Sequence, residues 1–288
     1  DAGSKQSSDA TVSITFTALN DPPTADDQSL ITKENITLDV TLTGSDPDGG
    51  FDSSNWTQLG SDINGEAAGD KSGTSVSFSS DGTTLAIGAY GNDGNGADSG
   101  HVRIYKYDGT TWTQLGSDID GEAAGDYLGR SVSLSSDGTT LAIGAYRNDG
   151  NGADSGHVRI YKYNGTTWTQ LGSDIDGEAA NDNSGFSVSL SSDGTTLAIG
   201  ALFNNGNGNG AYSGHVRIYK YDGTTWTQLG SDINGEAAED QSGFSVSLSS
   251  DGTTLAIGAY RNDGNGADSG HVRIYKYDGT TWTQLGSD

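Results

Sequence analysis

Tryptophan recurs at Trp56, Trp112, Trp168, Trp226 and Trp282, at intervals of 56, 56, 58 and 56 residues. Each of the first four opens a near-copy of WTQLGSDIDGEAAGD, followed by SVSLSSDGTTLAIGAY and then NDGNGADSGHVRIYKYDGTT, and Trp282 opens WTQLGSD. Self-similarity at a fixed period constrains a fold strongly, because every copy must fold alike and bury its apolar face against its neighbours. The single interval of 58 comes from a two-residue insertion in the third copy. There NNGNGNGAYSG (Asn204 to Gly214) stands where the others have NDGNGADSG. Insertions are tolerated in loops, so this stretch reads as one.

Within one copy, four short segments have strand character. In the second they are Arg130–Ser136, Thr140–Tyr146, His157–Tyr163 and Thr167–Gly172. Asp137-Gly138 and Asn164-Gly165 separate the first pair and the last pair, and such dipeptides accept the positive φ of tight hairpin turns. No stretch keeps a helical period over three turns. The repeat is therefore an antiparallel meander of four strands. Such a sheet cannot cover both faces alone, and a period near 50 with four strands is the mark of a β-propeller blade. A β-solenoid is the alternative, but its repeats are shorter. The small apolar LAIGA strand is expected near the axis, with Trp, Tyr and Thr of the outer strands at the rim. The chain holds four full repeats and an orphan fourth strand around Asn55–Gly60. It is read as part of a larger ring rather than a closed ring of four.

Composition narrows the chemistry. Hydrophobic residues make up only 32% of the 288, a share that would suggest disorder if the aromatics did not recur at fixed spacing. There is no cysteine, which removes disulfides, thiol chemistry and thiolate metal sites. No apolar run approaches the ~18 residues of a membrane span, so membrane insertion is not expected. The net charge of −25 argues against nucleic acid as a partner, since phosphate binding needs basic patches. The chain begins with Asp and stops inside a repeat, so it reads as a processed or excised piece.

Residues 1–50 lack the repeat. They hold the alternating runs TVSITFTAL and ITLDVTLTG around NDPPTADDQ, too little for an independent sandwich. Asn20–Ala25 (NDPPTA) and Gly44–Gly49 (GSDPDG) resemble the module joints of cadherin-like tandem repeats in bacterial surface proteins. The resemblance divides the chain into the end of one such module (1–21), the truncated start of a second or a linker (22–52), and the propeller repeats (53–288). It also implies calcium at the joint acids Asp21, Asp46 and Asp48; solvated turns are the other reading.

The run GFSVSLSSDGTTLAIGAY followed by SGHVRIYKY resembles an FG-GAP repeat, the blade of integrin alpha-chain propellers, over roughly residues 55–288. The family's FG stands here as Leu128-Gly129, or as Ser-Gly at 72–73, 184–185 and 242–243. Its GAP is Gly-Ala-Tyr at 88–90, 144–146 and 258–260, and Gly-Ala-Leu at 200–202. The calcium loop of integrin-type blades lies between the first two strands. Here that place holds only SSDGTT, so the family's calcium site does not transfer.

Strand direction puts the loop between blades and the loop joining the second and third strands on one face of the disc, and the acids concentrate there. DIDGEAAGD sets side-chain oxygens at positions 1, 3, 5 and 9, offsets by which calcium loops wrap an ion. The candidate ligands are Asp62, Asn64, Glu66 and Asp70 in the first copy, and Asp118, Asp120, Glu122 and Asp126 in the second. They are Asp174, Asp176, Glu178 and Asp182 in the third, and Asp232, Asn234, Glu236 and Asp240 in the fourth. The competing reading is that these acids cap turns and solubilise the disc. The other loop carries Gly150-x-Gly152-x-Asp154, which occurs once per blade and not in tandem; Asn205 and Tyr212 replace both its acids in the third copy.

One histidine per copy (His101, His157, His215, His271) opens the third strand with Ser and Asp nearby, a trio that could form a nucleophilic site. A catalytic centre is normally single, whereas a repeated residue is normally packing, so no enzyme is expected. The sequence thus points to a secreted or cell-surface propeller. It would bind an extracellular protein or glycan, with calcium in the acidic loops, and serve adhesion. The alternative is a structural repeat protein, a self-associating spacer or subunit of a surface layer or filament.

Overall fold

The computed structural model describes residues 24–25, 44–45, 57–205 and 208–287. The chain divides into two compact units, Asp1–Gln58 and Leu59–Asp288. In the first, β1 (Thr24–Ala25) pairs antiparallel with β2 (Gly44–Ser45). These dipeptides are the TA of NDPPTA and the GS of GSDPDG. Asp21, Asp46 and Asp48, and the other strands expected before residue 50, lie outside the described residues.

The second unit is a row of four antiparallel β-propeller blades. The second blade shows the plan: β8 (Leu128–Leu134), β9 (Thr140–Ala145), β10 (His157–Tyr163) and β11 (Trp168–Gln170) pair in sequence order. A further short strand, β12 (Ile175–Asp176), also pairs with β10, through His157↔Asp176 and Val158↔Ile175. The fourth strand is therefore longer than the sequence suggests and is broken by a bulge over residues 171–174. In that bulge Gly172 has φ of 84°. Thr57–Gly60 form no strand, in contrast to the orphan strand expected there.

The first strands lie innermost. Ser136 N donates to Ser192 O and Ser80 N to Ser136 O, both at 2.9 Å, which links first strands from blade to blade. LAIGA comes next and is buried on both sides in β9 and in β14 (Thr196–Ala201). The tryptophans mark the rim, where Trp168 Nε1 donates 2.9 Å to Leu115 O of the preceding blade.

Each blade packs Ala, Val and Ile of its second and third strands onto Val, Leu and Ile of the next blade. Ala86, Val102 and Ile104 meet Val132, Leu134, Leu141 and Ile143 in this way. Burying one such side chain contributes roughly 1.5–3 kcal/mol. The outer faces of the end blades have no such cover. Val76 is 59% and Val272 61% exposed, while Val158 and Val216 are fully buried. The four blades thus do not close on one another.

Two glycines set the spacing between blades. Gly144, in β9, lies against the carbonyl of Gly185, the first-strand glycine of the following blade. Gly185 itself has φ of 84°, a region that penalises any side chain, and its carbonyl accepts a 2.8 Å bond from Ser131 Oγ. A methyl at Gly144 would strike that carbonyl. Gly144→Ala is expected to destabilise the array by about 1–3 kcal/mol or more, the range for overpacking. Gly258→Ala, at the same place in the last blade, would meet only the Ser245 side chain. Thermal melts of the two variants check the contrast, and equal losses would show that the glycine contact does not set the blade spacing.

Candidate functional site

The alternation of strand directions does bring the two acidic loops of each blade to the same end of the sheet. Within one loop, however, the four predicted oxygens diverge. Ile119–Asp120 (β7) belong to the bulged fourth strand of the first blade, so Asp118 and Asp120 stay with that blade. Asp118 Oδ2 lies 3.9 Å from His101 Nδ1, and Asp120 lies beside Gly94 of the second-to-third-strand loop. Glu122 turns to the next blade, with Oε1 3.6 Å from Arg159 Nη1.

Asp126 turns inward and is buried. Its Oδ2 accepts bonds from Ala123 N (3.0 Å) and Asn148 Nδ2 (3.1 Å). Asp182 and Asp240 are held alike by Ala179 and Asn204, and by Ala237 and Asn262. At Asp70, burial works against the charge, but bonds from Ala67, Asn92 and Glu66 outweigh it and hold the carboxyl below its usual range. The ninth position is therefore a turn cap. In this structure the first half of the loop is strand and its last acid caps a turn, so the four positions have separate partners. In the other loop, Asp149 Oδ1 accepts Asp154 N (2.8 Å), and Asn205 does the same for Tyr212 N (3.2 Å). This shows a turn-capping role that asparagine can fill.

What the fold does bring together are mixed groups: Glu66–His101–Asp118, Glu122–His157–Asp174 and Glu178–His215–Asp232. In each, one donor atom per residue lies within 4.8 Å of the other two. The histidines are buried at the start of the third strand, and the carboxylates stand partly exposed above them. Burial, followed by the charge of the neighbouring arginine, pushes His157 below its usual pKa. The same two causes push His215 down to about 4.

A second feature of this end was not read from the sequence. Tyr90, Tyr127, Tyr146, Phe186, Phe244 and Tyr260 form a continuous ribbon across the blades, with ring centroids 4.3–5.7 Å apart. Arg147 lies over Tyr127 and Tyr146, Arg130 over Phe186, Arg261 over Tyr260 and Lys71 over Tyr90. These four are the cations of the repeat array that do not recur in every copy. Beside the ribbon opens a cleft of about 940 Å³. The third copy's departures line it: Phe203 and Tyr212, whose rings meet edge to face at 5.3 Å, with Asn181 and Asn205.

Glu239 and Asn181, also in the cleft wall, have φ of 70° and 66° where the first two copies have Gly69 and Gly125. Left-handed backbone costs most non-glycine residues about 1–2 kcal/mol and asparagine less, and Lys71, Tyr127, Asn183 and Gln241 adopt it two residues further on in every copy. The signal was present in the sequence, in the columns where otherwise identical copies disagree.

Comparison with known proteins agrees with the fold. The FG-GAP repeat model matches residues 64–105, 118–161 and 234–275, so the chain carries FG-GAP repeats in its first, second and fourth copies. No curated protein is significantly similar in sequence. Among solved structures, the periplasmic gluconolactonase PpgL of Pseudomonas aeruginosa has a TM-score of 0.50 at 16% identity, covering 74% of this chain and 56% of its own. Kuenenia stuttgartiensis hydrazine synthase has 0.46 at 14%, covering 77% and 49%. A putative 6-phosphogluconolactonase from Bacteroides uniformis has 0.44 at 11%, covering 74% and 71%. At these identities the PpgL likeness concerns the fold alone. The chain spans about half the length of the hydrazine synthase and PpgL chains.

The histidine shifts carry a pH dependence. Unfolded histidine titrates near 6.5, whereas folded His215 does so at about 4. Between those values the unfolded chain holds the extra proton, so stability falls as pH drops through that window. Melts in chelator from pH 7 to 4 are expected to show this loss. Replacing His157 and His215 by Gln is expected to reduce its slope.

Proposed function

We propose that this chain is a non-enzymatic binding module of an extracellular or cell-surface protein, and that it holds a carbohydrate in the cleft beside the aromatic ribbon. One observation carries the reading: the copies agree almost everywhere, and their disagreements converge on this cleft. Selection for folding keeps copies alike, while a binding site needs one asymmetric surface. Tyr212, Phe244 and Tyr260 offer partly exposed rings that suit the apolar C–H faces of a sugar. Asn181, Glu239 and Arg147 supply the donors and acceptors that hydroxyl groups require. The volume suits a short oligosaccharide. FG-GAP repeats and a described chain with no helix long and apolar enough to cross a membrane accord with a place outside the cell.

Binding is non-catalytic in this reading, since the histidines recur in every blade and lie outside the cleft. It does not require calcium in the acidic loops, whose oxygens go to separate partners. Titration against a panel of neutral and uronic-acid oligosaccharides tests the proposal. Phe244→Ala and Tyr212→Ala are each expected to weaken binding about tenfold, ~1.4 kcal/mol, with a cooperative melt and the circular dichroism spectrum retained. Absence of saturable binding across the panel, or variants that bind as the parent does, would sink the carbohydrate reading.

The exposed faces of the end blades favour a second reading, assembly. Val76 and Phe78 at one end and Val272 and Ile274 at the other repeat the two halves of the internal blade interface. Head-to-tail contact between copies would then be heterologous and open-ended. Sedimentation at rising concentration is expected to show self-association that Val272→Asp abolishes; a concentration-independent monomer counts against assembly.

A further inference from the structure

We propose that Glu178, His215 and Asp232 bind a divalent transition-metal ion of the zinc type, and that the Glu66–His101–Asp118 and Glu122–His157–Asp174 groups are two further copies of the site. His215 Nδ1 is buried, has no hydrogen-bond partner, and faces Glu178 Oε2 at 3.7 Å. A buried polar atom without a partner calls for an explanation, and a coordinated ion supplies one. The corresponding separations are 3.8 and 3.9 Å around His101 and 3.8 Å from His157 to Asp174. Donors sharing one zinc at bond lengths of about 2.0–2.2 Å sit roughly 3.4 Å apart in a tetrahedral arrangement. The remaining donor separations lie within 4.8 Å, so closing on an ion needs movements of up to about an ångström.

The donor set selects the class of ion. Calcium and magnesium take oxygen ligands, while an imidazole nitrogen with two carboxylates suits zinc and its neighbours. The surroundings orient the donors as the outer shell of a metal site does. Gln228 Nε2 donates to Asp232 Oδ1 at 2.7 Å. In the second copy Gln170 does the same to Asp174 Oδ1, which leaves Oδ2 towards His157. Arg217 Nη1 lies 3.9 Å from Glu178 Oε1, leaving Oε2 towards His215, and Arg217 Nη2 donates to Asp176 O at 2.6 Å. Two carboxylates and one guanidinium leave each group with a net charge of −1 to meet a dication. The half-exposed carboxylates leave it open to solvent from above. The groups share no residue with the cleft lining.

The test is equilibrium dialysis of the whole chain, stripped with chelator, against zinc in excess magnesium, with cobalt as a spectroscopic substitute. Saturable zinc binding at the three groups of the described residues is expected, with a visible cobalt absorption band. Asp232→Asn and Glu178→Gln are each expected to remove binding at one of the three while circular dichroism stays unchanged. The imidazole nitrogen resonances of His215 are expected to shift on zinc addition in the parent and to stay fixed in Asp232→Asn. No saturable zinc binding, displacement by equimolar calcium, or an unchanged stoichiometry in both variants would overturn the proposal.

Discussion

The architecture depends on one close approach, the backbone of each blade's first strand passing over the glycine in the second strand of the blade before it. Gly88 meets Gly129, Gly144 meets Gly185 and Gly200 meets Gly243. Because neither partner carries a side chain, the sheets come close enough for serine hydroxyls to bond across: Ser75, Ser131 and Ser187 each reach the facing glycine carbonyl at 2.8 Å. Apolar side chains then fill the remaining gap. The interblade core is small in each layer, and this suits a chain with few hydrophobic residues. The two glycines of the FG-GAP signature are thus a single device, half supplied by each of two blades. That explains why the phenylalanine and proline of the signature can be lost here while both glycines persist.

The same junction fixes the chemistry around it. The chain leaves the fourth strand, crosses to the next blade and must turn sharply before it can place its first-strand glycine. The turn is held by Asp70, Asp126, Asp182 and Asp240, each capped onto the backbone three residues earlier and bonded to an asparagine of the blade it enters. Acids that look like a ligand row in the sequence are therefore divided between turn formation and contacts with the histidine and arginine of the third strand. Charge density alone does not distinguish these tasks, since exposed like charges cost little in water and are screened further by salt.

The strands, the hairpin turns, the blade period and the shared end of the acidic loops could all be read from the sequence, because a period of two between turn dipeptides is a local signal repeated four times. The third strand, His157–Tyr163, has the bounds that its pattern suggests. The fourth strand extends beyond the Thr167–Gly172 that its pattern suggests, because Ile175 and Asp176 resume the pairing along β10 after the bulge. The mixed groups were not legible for a related reason. Glu122, His157 and Asp174 are 35 and 17 residues apart in sequence, and it takes the blade crossing to place Glu122 over a histidine of the blade that follows it.

The cleft was hidden by the strength of the repeat. Alignment of the copies draws attention to what they share, and what they share is mostly scaffold: the glycine contact, the capped turn, the rim tryptophan and the buried histidine. The residual differences are few and would look like drift if they were scattered. Instead they gather at the mouth of blades two to four, and they include left-handed residues where other copies have glycine. Positive φ alone does not mark the place, since Asp98, Asp154 and Asp268 hold it in the other loop and Lys71, Tyr127, Asn183 and Gln241 hold it two residues further on in every copy. What distinguishes Glu239 and Asn181 is that they line the cleft, where the copies differ. A repeat that folds and packs alike in every copy can build an asymmetric surface only where its copies differ, and here those differences surround one cleft.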